Sequence, residues 1–185
     1  MRKLILLDRD GVINKFPGYG NFVKSVEELY LQEGSAEAIA MLNSAGYEVF
    51  VISNQSGVGR GLYTEKDLQD ITEKLKDMLK KQGAFINAFF YCIHRPDEAC
   101  QCRKPSDYFV KEAINTLGGR DNIEGDIYMA GDSEKDIEMA YRAGIKSCLV
   151  LSGRVKIYRE GPFYKPDVIS RDLLSFVEFL LKGDK

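Results

Sequence analysis

Two groups of residues in this chain have the types and spacing that do chemistry. The first is Asp8-Arg9-Asp10-Gly11, two carboxylates two residues apart, directly after the apolar run Lys3–Leu7. Acids leaving a buried strand repel each other unless a cation or hydrogen bonds offset the cost. The pair reads as a Mg²⁺ site with one carboxylate free to attack phosphorus, or else as a solvated acidic turn. The second group holds the only histidine, His94, and three of the four cysteines, Cys92, Cys100 and Cys102, within eleven consecutive residues. Cys92-x-His94 and Cys100-x-Cys102, five residues apart, offer three thiolates and one imidazole. Those are the ligands of a closed tetrahedral Zn²⁺ site, with no open position for water. A disulfide between Cys100 and Cys102 would be badly strained, which leaves a metal-free loop as the alternative. Cys148, in SCLVL, reads as a small buried apolar residue.

These residues need elements to position them. Lys3–Leu7 is short and apolar after its first residue, as suits a strand buried on both faces. The spacing predicts a helix over Ser35–Ala45, with Ser35 as N-cap and Gly46 closing it, and then a strand over Glu48–Ile52. Thr64 with Asp67 forms a capping box for a longer helix that Gly83 can end. Further along, strands are expected over Ala88–Cys92, Ile127–Ala130, Cys148–Leu151 and Asp167–Ile169. Helices are expected over Ser106–Leu117, Ser133–Ala143 (closed by Gly144) and Asp172–Leu181. Alternating β and α units with short connections predict an α/β fold, a parallel sheet covered by helices. In such sheets ligands bind beyond the carboxyl ends of the strands.

Four polar clusters stand at four such ends. Asp8 and Asp10 follow the first strand. Ser53-Asn54-Gln55-Ser56-Gly57-Val58-Gly59-Arg60-Gly61 follows the second and offers backbone N–H groups to an anion, or forms an ordinary turn. After the third come the Cys/His cluster and Arg103-Lys104-Pro105, a pair of cations that holds a phosphate or faces water. After the fourth comes Gly131-Asp132-Ser133-Glu134-Lys135-Asp136. Asp132 is placed to complete a metal site, and Asp136 faces the same way, unless both only cap the helix. Together the clusters supply a carboxylate nucleophile, a hydroxyl, a lysine and metal-binding acids, the inventory of phosphoryl transfer.

With DRDGVIN, Ser53 in VISNQSG, Lys104 and GDSEKD in this order, the sequence resembles the haloacid-dehalogenase (HAD) superfamily of phosphatases. DRDGVIN, SNQSGVGRG and C-x-H-x5-C-x-C-R-K-P together are similar to the D-glycero-D-manno-heptose 1,7-bisphosphate phosphatase family, a relative of the histidinol-phosphatase domain. The resemblance runs from Leu4 to about Leu151. It implies a Rossmann-like sheet with helices on both faces and no large cap domain. A small zinc loop, residues 92–104, would stand over the site within one domain spanning residues 1–185. It also implies that Asp8 attacks phosphorus and that Asp10 is general acid and then general base. Mg²⁺ would rest on Asp8, the Asp10 backbone carbonyl and Asp132. Ser53 and Lys104 would hold phosphoryl oxygens, the Asn54 N–H would assist, and Asp136 would orient Lys104 or a metal-bound water. Gln55, Ser56, Arg103, Gly18 and Tyr19 are the implied substrate contacts, with Arg60 in support. Gly18-Tyr19-Gly20-Asn21-Phe22-Val23 departs from the family's Gly-Tyr-Val stretch, so either Tyr19 or Phe22 fills the aromatic position.

Composition sets the remaining bounds. The 185 residues carry 26 Lys+Arg against 28 Asp+Glu, a net charge of −2. That balance gives no electrostatic case for nucleic acid or a membrane surface. No apolar run approaches the ~18 residues of a transmembrane helix, and the apolar run near the N-terminus is too short for a signal peptide. The expectation is a cytoplasmic, monomeric enzyme with catalytic Mg²⁺, structural Zn²⁺ and a small phosphorylated sugar as substrate. Histidinol phosphate is the rival substrate, and a nonenzymatic zinc module is the rival class.

Overall fold

The computed structural model describes residues 1–159 and 164–183. Its strands are β1 (Lys3–Leu7), β2 (Tyr47–Asn54), β3 (Ala88–Cys92), β4 (Tyr128–Gly131), β5 (Lys146–Val150) and β6 (Val168–Ser170). They pair in parallel in the order β3-β2-β1-β4-β5-β6. The helices are α1 (Ser35–Ser44), α2 (Glu65–Lys80), α3 (Tyr108–Thr116), α4 (Glu134–Ala143) and α5 (Leu173–Gly183). The chain winds outward from β1 through β2 to β3, then returns to place β4 against the other side of β1. That reversal opens a crevice between the ends of β1 and β4, the usual ligand position in such sheets.

Alternation along β1 divides the core. Ile5 and Leu7 face α1, α2 and α5, packing with Ile39, Leu42, Ile71, Leu75, Phe176 and Val177. Leu4 and Leu6 face α3 and α4, packing with Val110, Ala113, Met139 and Ala140. All four β1 side chains are fully buried, so helices cover both faces, as the continuous apolar run implies. A Leu→Ala change in this central strand costs about 2–5 kcal/mol through lost transfer energy and the cavity left behind.

Several element boundaries differ from the sequence expectation for local reasons. Ser35 is not the N-cap of α1: Gly34 is, at φ +74°, and Ser35 begins the helix with its hydroxyl donated to the Ile13 carbonyl at 2.8 Å. The capping box of Thr64 and Asp67 forms as expected. α3 begins at Tyr108 because Ser106 is spent closing the preceding loop, its N–H bonding Arg103 O at 2.9 Å. β5 begins at Lys146 because pairing with Tyr128 extends the ladder by two residues. Asp167 stays outside β6; its carboxylate accepts from the Ser147 N–H and hydroxyl at 2.8 and 2.9 Å, tying the entry of β6 to β5. Short 3₁₀ turns at Val26–Glu28 and Arg120–Asn122 were not expected. Among the described residues no helix is long and apolar enough to cross a membrane.

Candidate active site

Asp8 is the first residue beyond β1, and its N–H still bonds Ala130 O of β4 at 2.9 Å. Its carboxylate therefore stands at the crevice, where Oδ1 accepts from the Arg9 N–H at 2.7 Å and from Lys104 Nζ at 3.0 Å. Asp132 follows β4 directly and offers its carboxylate to the same space, with Oδ2 accepting from the Arg154 N–H at 2.6 Å. The backbone fits closely around it. A Cβ on Gly11 or on Gly153 would lie 2.2 Å from Asp132 Oδ2, and Gly11 also sits at φ +88°. Only glycine allows both loops to close on this carboxylate.

Lys104 spends its three donors on Asp136 Oδ1 at 2.5 Å, Ile52 O at 3.0 Å and Asp8 at 3.0 Å. Asp136 is fully buried, and its other oxygen accepts from the Ser133 N–H and hydroxyl at 3.1 and 2.6 Å. It thus caps α4 and also holds the lysine. Asn54 clamps the lysine's backbone from β2, accepting from the Lys104 N–H at 3.0 Å and donating to its carbonyl at 3.2 Å. The Asn54 amide is therefore committed to Lys104 and leaves only its N–H for a ligand.

Asp10 turns away from this group. Its carboxylate accepts from Arg9 at 2.9 to 3.2 Å, from Asn14 Nδ2 at 2.8 Å and from Gln55 Nε2 at 2.8 Å. Gln55, expected to touch substrate, is fully buried beneath Asp10 and Ser53, a correction that follows from both carboxylate and hydroxyl needing a donor there. Sequence reasoning missed Arg9. An arginine between two acids looks like surface charge, yet this one is fully buried and pairs with Asp10.

The electrostatics follow from burial. Burial raises Asp8 to about 6, with Lys104 opposing and Asp136 and Asp10 adding to the rise. Burial, Asp8 and Asp136 raise Asp132 to about 8. Burial alone would raise Asp10, but Arg9, Asn14 and Gln55 outweigh it and hold the group below the usual carboxylate range. Burial alone would lower Lys104, but Asp136 and Asp8 outweigh it and keep the ammonium charged. Four carboxylates against the cations Arg9 and Lys104 leave a surplus of two negative charges. The oxygens of Asp8, Asp132 and Asp136 lie within 4.8 Å of one another. Surplus charge, mutual reach and an all-oxygen donor set fit a hard divalent cation such as Mg²⁺.

Above these groups lies a cavity of about 550 Å³. Asp8, Asp10, Ser53, Lys104 and Asp132 form its floor, and Ser56, Arg60 and Arg103 line it. Arg154, Lys135, Phe16 and Asn21 also line it and were not anticipated: Arg154 and Phe16 lie outside the quoted motifs, and Lys135 and Asn21 stand within quoted stretches but were given no role there. Both aromatic candidates reach the wall. Tyr19 donates its hydroxyl to Arg154 O at 2.9 Å, and the Arg154 guanidinium lies over the rings of Phe16 and Tyr19 at 5.3 and 5.6 Å. Phe22 instead leans on Tyr63, centroids 6.2 Å apart. Gly18 is not in the wall; it makes the turn before it, at φ +100° with its carbonyl bonded to the Asn21 N–H at 3.2 Å.

The Cys/His cluster forms beside this cavity. Cys92 Sγ lies 3.7 Å from His94 Nδ1 and 3.8 Å from Cys100 Sγ, and Cys102 Sγ lies 3.4 Å from His94 Nδ1. Ligands at the Zn–S distance of ~2.3 Å on a tetrahedron are about 3.8 Å apart, so the four atoms fit one Zn²⁺. Without a cation, burial and the neighbouring Cys102 thiol push Cys92 up to about 12. The loop is stitched to the one after β2 by Gln55 N–H to Cys92 O at 2.7 Å and Gly59 N–H to Ile93 O at 3.0 Å.

Comparison with known proteins agrees with this geometry. The HAD-hydrolase-like family model matches residues 101–176. The chain is 40% identical over 155 residues to the D-glycero-beta-D-manno-heptose-1,7-bisphosphate 7-phosphatase of Neisseria meningitidis, covering 83% of this chain and 80% of that one. It is 35% identical over 181 residues to the protein of the same name from Pseudomonas putida, covering 97% and 99%. The crystal structure of D,D-heptose 1,7-bisphosphate phosphatase from B. bronchiseptica, complexed with magnesium and phosphate, superposes with a TM-score of 0.90 at 35% identity, covering 98% of this chain and 99% of that one.

Proposed function

Since this chain belongs to the HAD-like hydrolases, and among them to the D-glycero-beta-D-manno-heptose-1,7-bisphosphate 7-phosphatase family, we propose that it removes the 7-phosphate of that heptose bisphosphate through an aspartyl-phosphate on Asp8. The product would be a heptose 1-phosphate fit for activation as a nucleotide sugar. The β anomer is the one that the relatives' names specify. The observation that carries the reading is the buried Asp8 carboxylate, held by Lys104 at the crevice floor beneath a cation-lined cavity.

Asp8, Asp132 and the backbone carbonyl of Asp10 would hold Mg²⁺, which when bound offsets the charge of the transferring phosphoryl group. The chain's own residues do the rest. Asp8 Oδ forms the bond to phosphorus as the sugar oxygen leaves. Lys104 shares its Asp8-facing donor with a phosphoryl oxygen, while its bonds to Asp136 and Ile52 O keep it aimed. The Ser53 hydroxyl and the Asn54 N–H take the other oxygens. Asp10 is held as a carboxylate, the form that draws a proton from water in the second half of the reaction. To protonate the leaving oxygen first, it must enter protonated, and substrate binding must loosen its contacts with Arg9 and Asn14. Arg60, Arg103, Lys135 and Arg154 at the wall suit a substrate with a second phosphate. The Cys/His loop would carry a structural Zn²⁺ that braces Arg103 and Lys104. A phosphate-release assay with the heptose bisphosphate and with histidinol phosphate, with and without Mg²⁺, tests the reading. Mg²⁺-dependent turnover of the bisphosphate supports it, and preference for histidinol phosphate overturns the substrate assignment.

A further inference from the structure

Beneath the cavity floor, two side chains outside its lining that the reaction scheme leaves unused, Tyr63 and Gln55, form a chain of hydrogen bonds leading to Asp10 and Ser53. Tyr63 donates its hydroxyl to Gln55 Oε1 at 2.6 Å. Gln55 Nε2 then donates to Asp10 Oδ2 at 2.8 Å and to Ser53 Oγ at 3.1 Å. Tyr63 is 5% exposed, Gln55 is fully buried and Ser53 is 2% exposed, so water does not compete for these bonds. The direction of each bond is dictated by chemistry. A carboxylate only accepts, which forces Nε2 toward Asp10 and Oε1 toward Tyr63. With Oε1 facing it, the phenol must donate. The second amide hydrogen reaches Ser53 Oγ, which therefore accepts, and the serine's own O–H is released toward the cavity.

We propose that Tyr63 and Gln55 are positioning residues for phosphoryl transfer, fixing Ser53 as a donor to the phosphoryl oxygen and Asp10 in its place. Without them the Ser53 hydroxyl is free to turn its hydrogen onto a neighbouring acceptor and present a lone pair to the phosphoryl group, which is itself an acceptor. The backbone is built around this arrangement. A Cβ on Gly57 would lie 2.2 Å from the Tyr63 ring, so the glycine in the loop after β2 makes room for the ring. Tyr63 itself stands just before Thr64, the N-cap of α2, whose capping box fixes the start of that helix. The Phe22 ring closes over Tyr63 from the cavity side. Neither Tyr63 nor Gln55 touches substrate in this scheme; both act through Ser53 and Asp10.

The inference rests on the phosphatase reading, and its test separates the two. Wild type, Tyr63→Phe, Gln55→Met and the double variant are compared on the heptose bisphosphate and on p-nitrophenyl phosphate at saturating Mg²⁺, with circular-dichroism melts to verify folding. Tyr63→Phe keeps the ring and its packing and removes only the donor. It is expected to lower kcat about three- to tenfold, the usual worth of one neutral hydrogen bond, with KM within about twofold. Gln55→Met is expected to cost more, because it removes both donors, and the double variant to be no worse than Gln55→Met alone. A Tyr63→Phe kcat equal to wild type, or losses that multiply in the double variant, would overturn the proposal. The Gln55 side-chain amide signals give a readout independent of turnover. Slow hydrogen exchange in wild type that becomes fast in Tyr63→Phe supports the relay, and identical exchange in both overturns it. If wild type hydrolyses neither ester, the phosphatase reading fails while the amide exchange still decides the relay.

Discussion

Replacing Lys104 with Met tests the electrostatic account of the site most directly. The Lys104 side chain is 4% exposed, and its ammonium lies 2.5 Å from Asp136, which is fully buried, and 3.0 Å from Asp8. Methionine nearly matches its length, so the change removes charge and leaves volume. Deleting one partner of a buried pair leaves an uncompensated charge and costs about 3–5 kcal/mol. For a chain of this size that lowers the midpoint of melting by roughly 6–20 °C. The loss has a pH signature. Lys104 is what opposes the rise of Asp8, so without the lysine Asp8 prefers still more to be protonated in the folded state, and the folded chain binds more protons than the unfolded chain. Stability then increases as pH falls, and the deficit in metal-free buffer is larger at pH ~8 than at pH ~5.5. Turnover is expected to fall by about two to three orders of magnitude, the usual cost of losing a preorganised donor to the transferring group. Scanning calorimetry in EDTA at both pH values, beside phosphate-release kinetics, measures all three. A variant that melts within about 2 °C of wild type at both pH values would show that the buried charges are not coupled as described.

Asp8→Asn should abolish phosphate release while leaving the fold intact, since the amide retains the shape but is a poor nucleophile; retained turnover would remove Asp8 from the chemistry. The raised pKa values of Asp132, about 8, and of Asp8, about 6, give metal-free protein a stability that is present at low pH and lost as pH climbs toward 8. EDTA-treated protein should therefore melt higher at pH ~6 than at pH ~8, with Mg²⁺ raising the pH ~8 midpoint more; the reverse order would contradict the assignment. Gly153→Ala brings a Cβ to 2.2 Å from Asp132 Oδ2 and should weaken Mg²⁺ binding at least about tenfold by titration calorimetry, with wild-type secondary structure by circular dichroism. If the Cys/His loop carries the proposed zinc, mass spectrometry should find one Zn²⁺ in wild type and none in Cys102→Ala, which should melt lower and turn over more slowly, because the loop aims Lys104; full activity and unchanged melting in a verified zinc-free variant would make the brace dispensable.

The sheet and most of the floor were legible in the sequence for a shared physical reason. A parallel sheet buries its strands on both faces, so each strand is an apolar run, and whatever polar group ends the run stands at the ligand edge. Asp8, Ser53 and Asp132 were found by that rule, and Lys104 by its place in the Arg103-Lys104 pair just after the last cysteine of the Cys/His cluster. The rule carries no information on where a loop side chain turns. Gln55 sits in a polar loop and read as a ligand contact, yet it points down between Asp10 and Ser53, because a carboxylate and a hydroxyl at the floor need a donor from below. Arg9 was invisible for the opposite reason: its burial depends on Asp10 turning back to meet it, and no spacing encodes that turn.

The Cys/His loop and the acidic crevice are separate in sequence, yet the hydrogen bonds join them into one unit. Asn54 at the end of β2 grips the backbone of Lys104, and the Gln55 N–H grips Cys92 at the end of β3. Two adjacent residues, the last of β2 and the first beyond it, thus fasten both ends of the Cys/His loop, and the loop returns a lysine to Asp8. In the proposed function a chain without a large cap needs some other means of holding its phosphate-binding cation rigid, and a loop pinned at both ends, with four ligand atoms in reach of one Zn²⁺, would provide it. Rare residues fix where the lysine stands, while the common aspartates beside it determine what it can do.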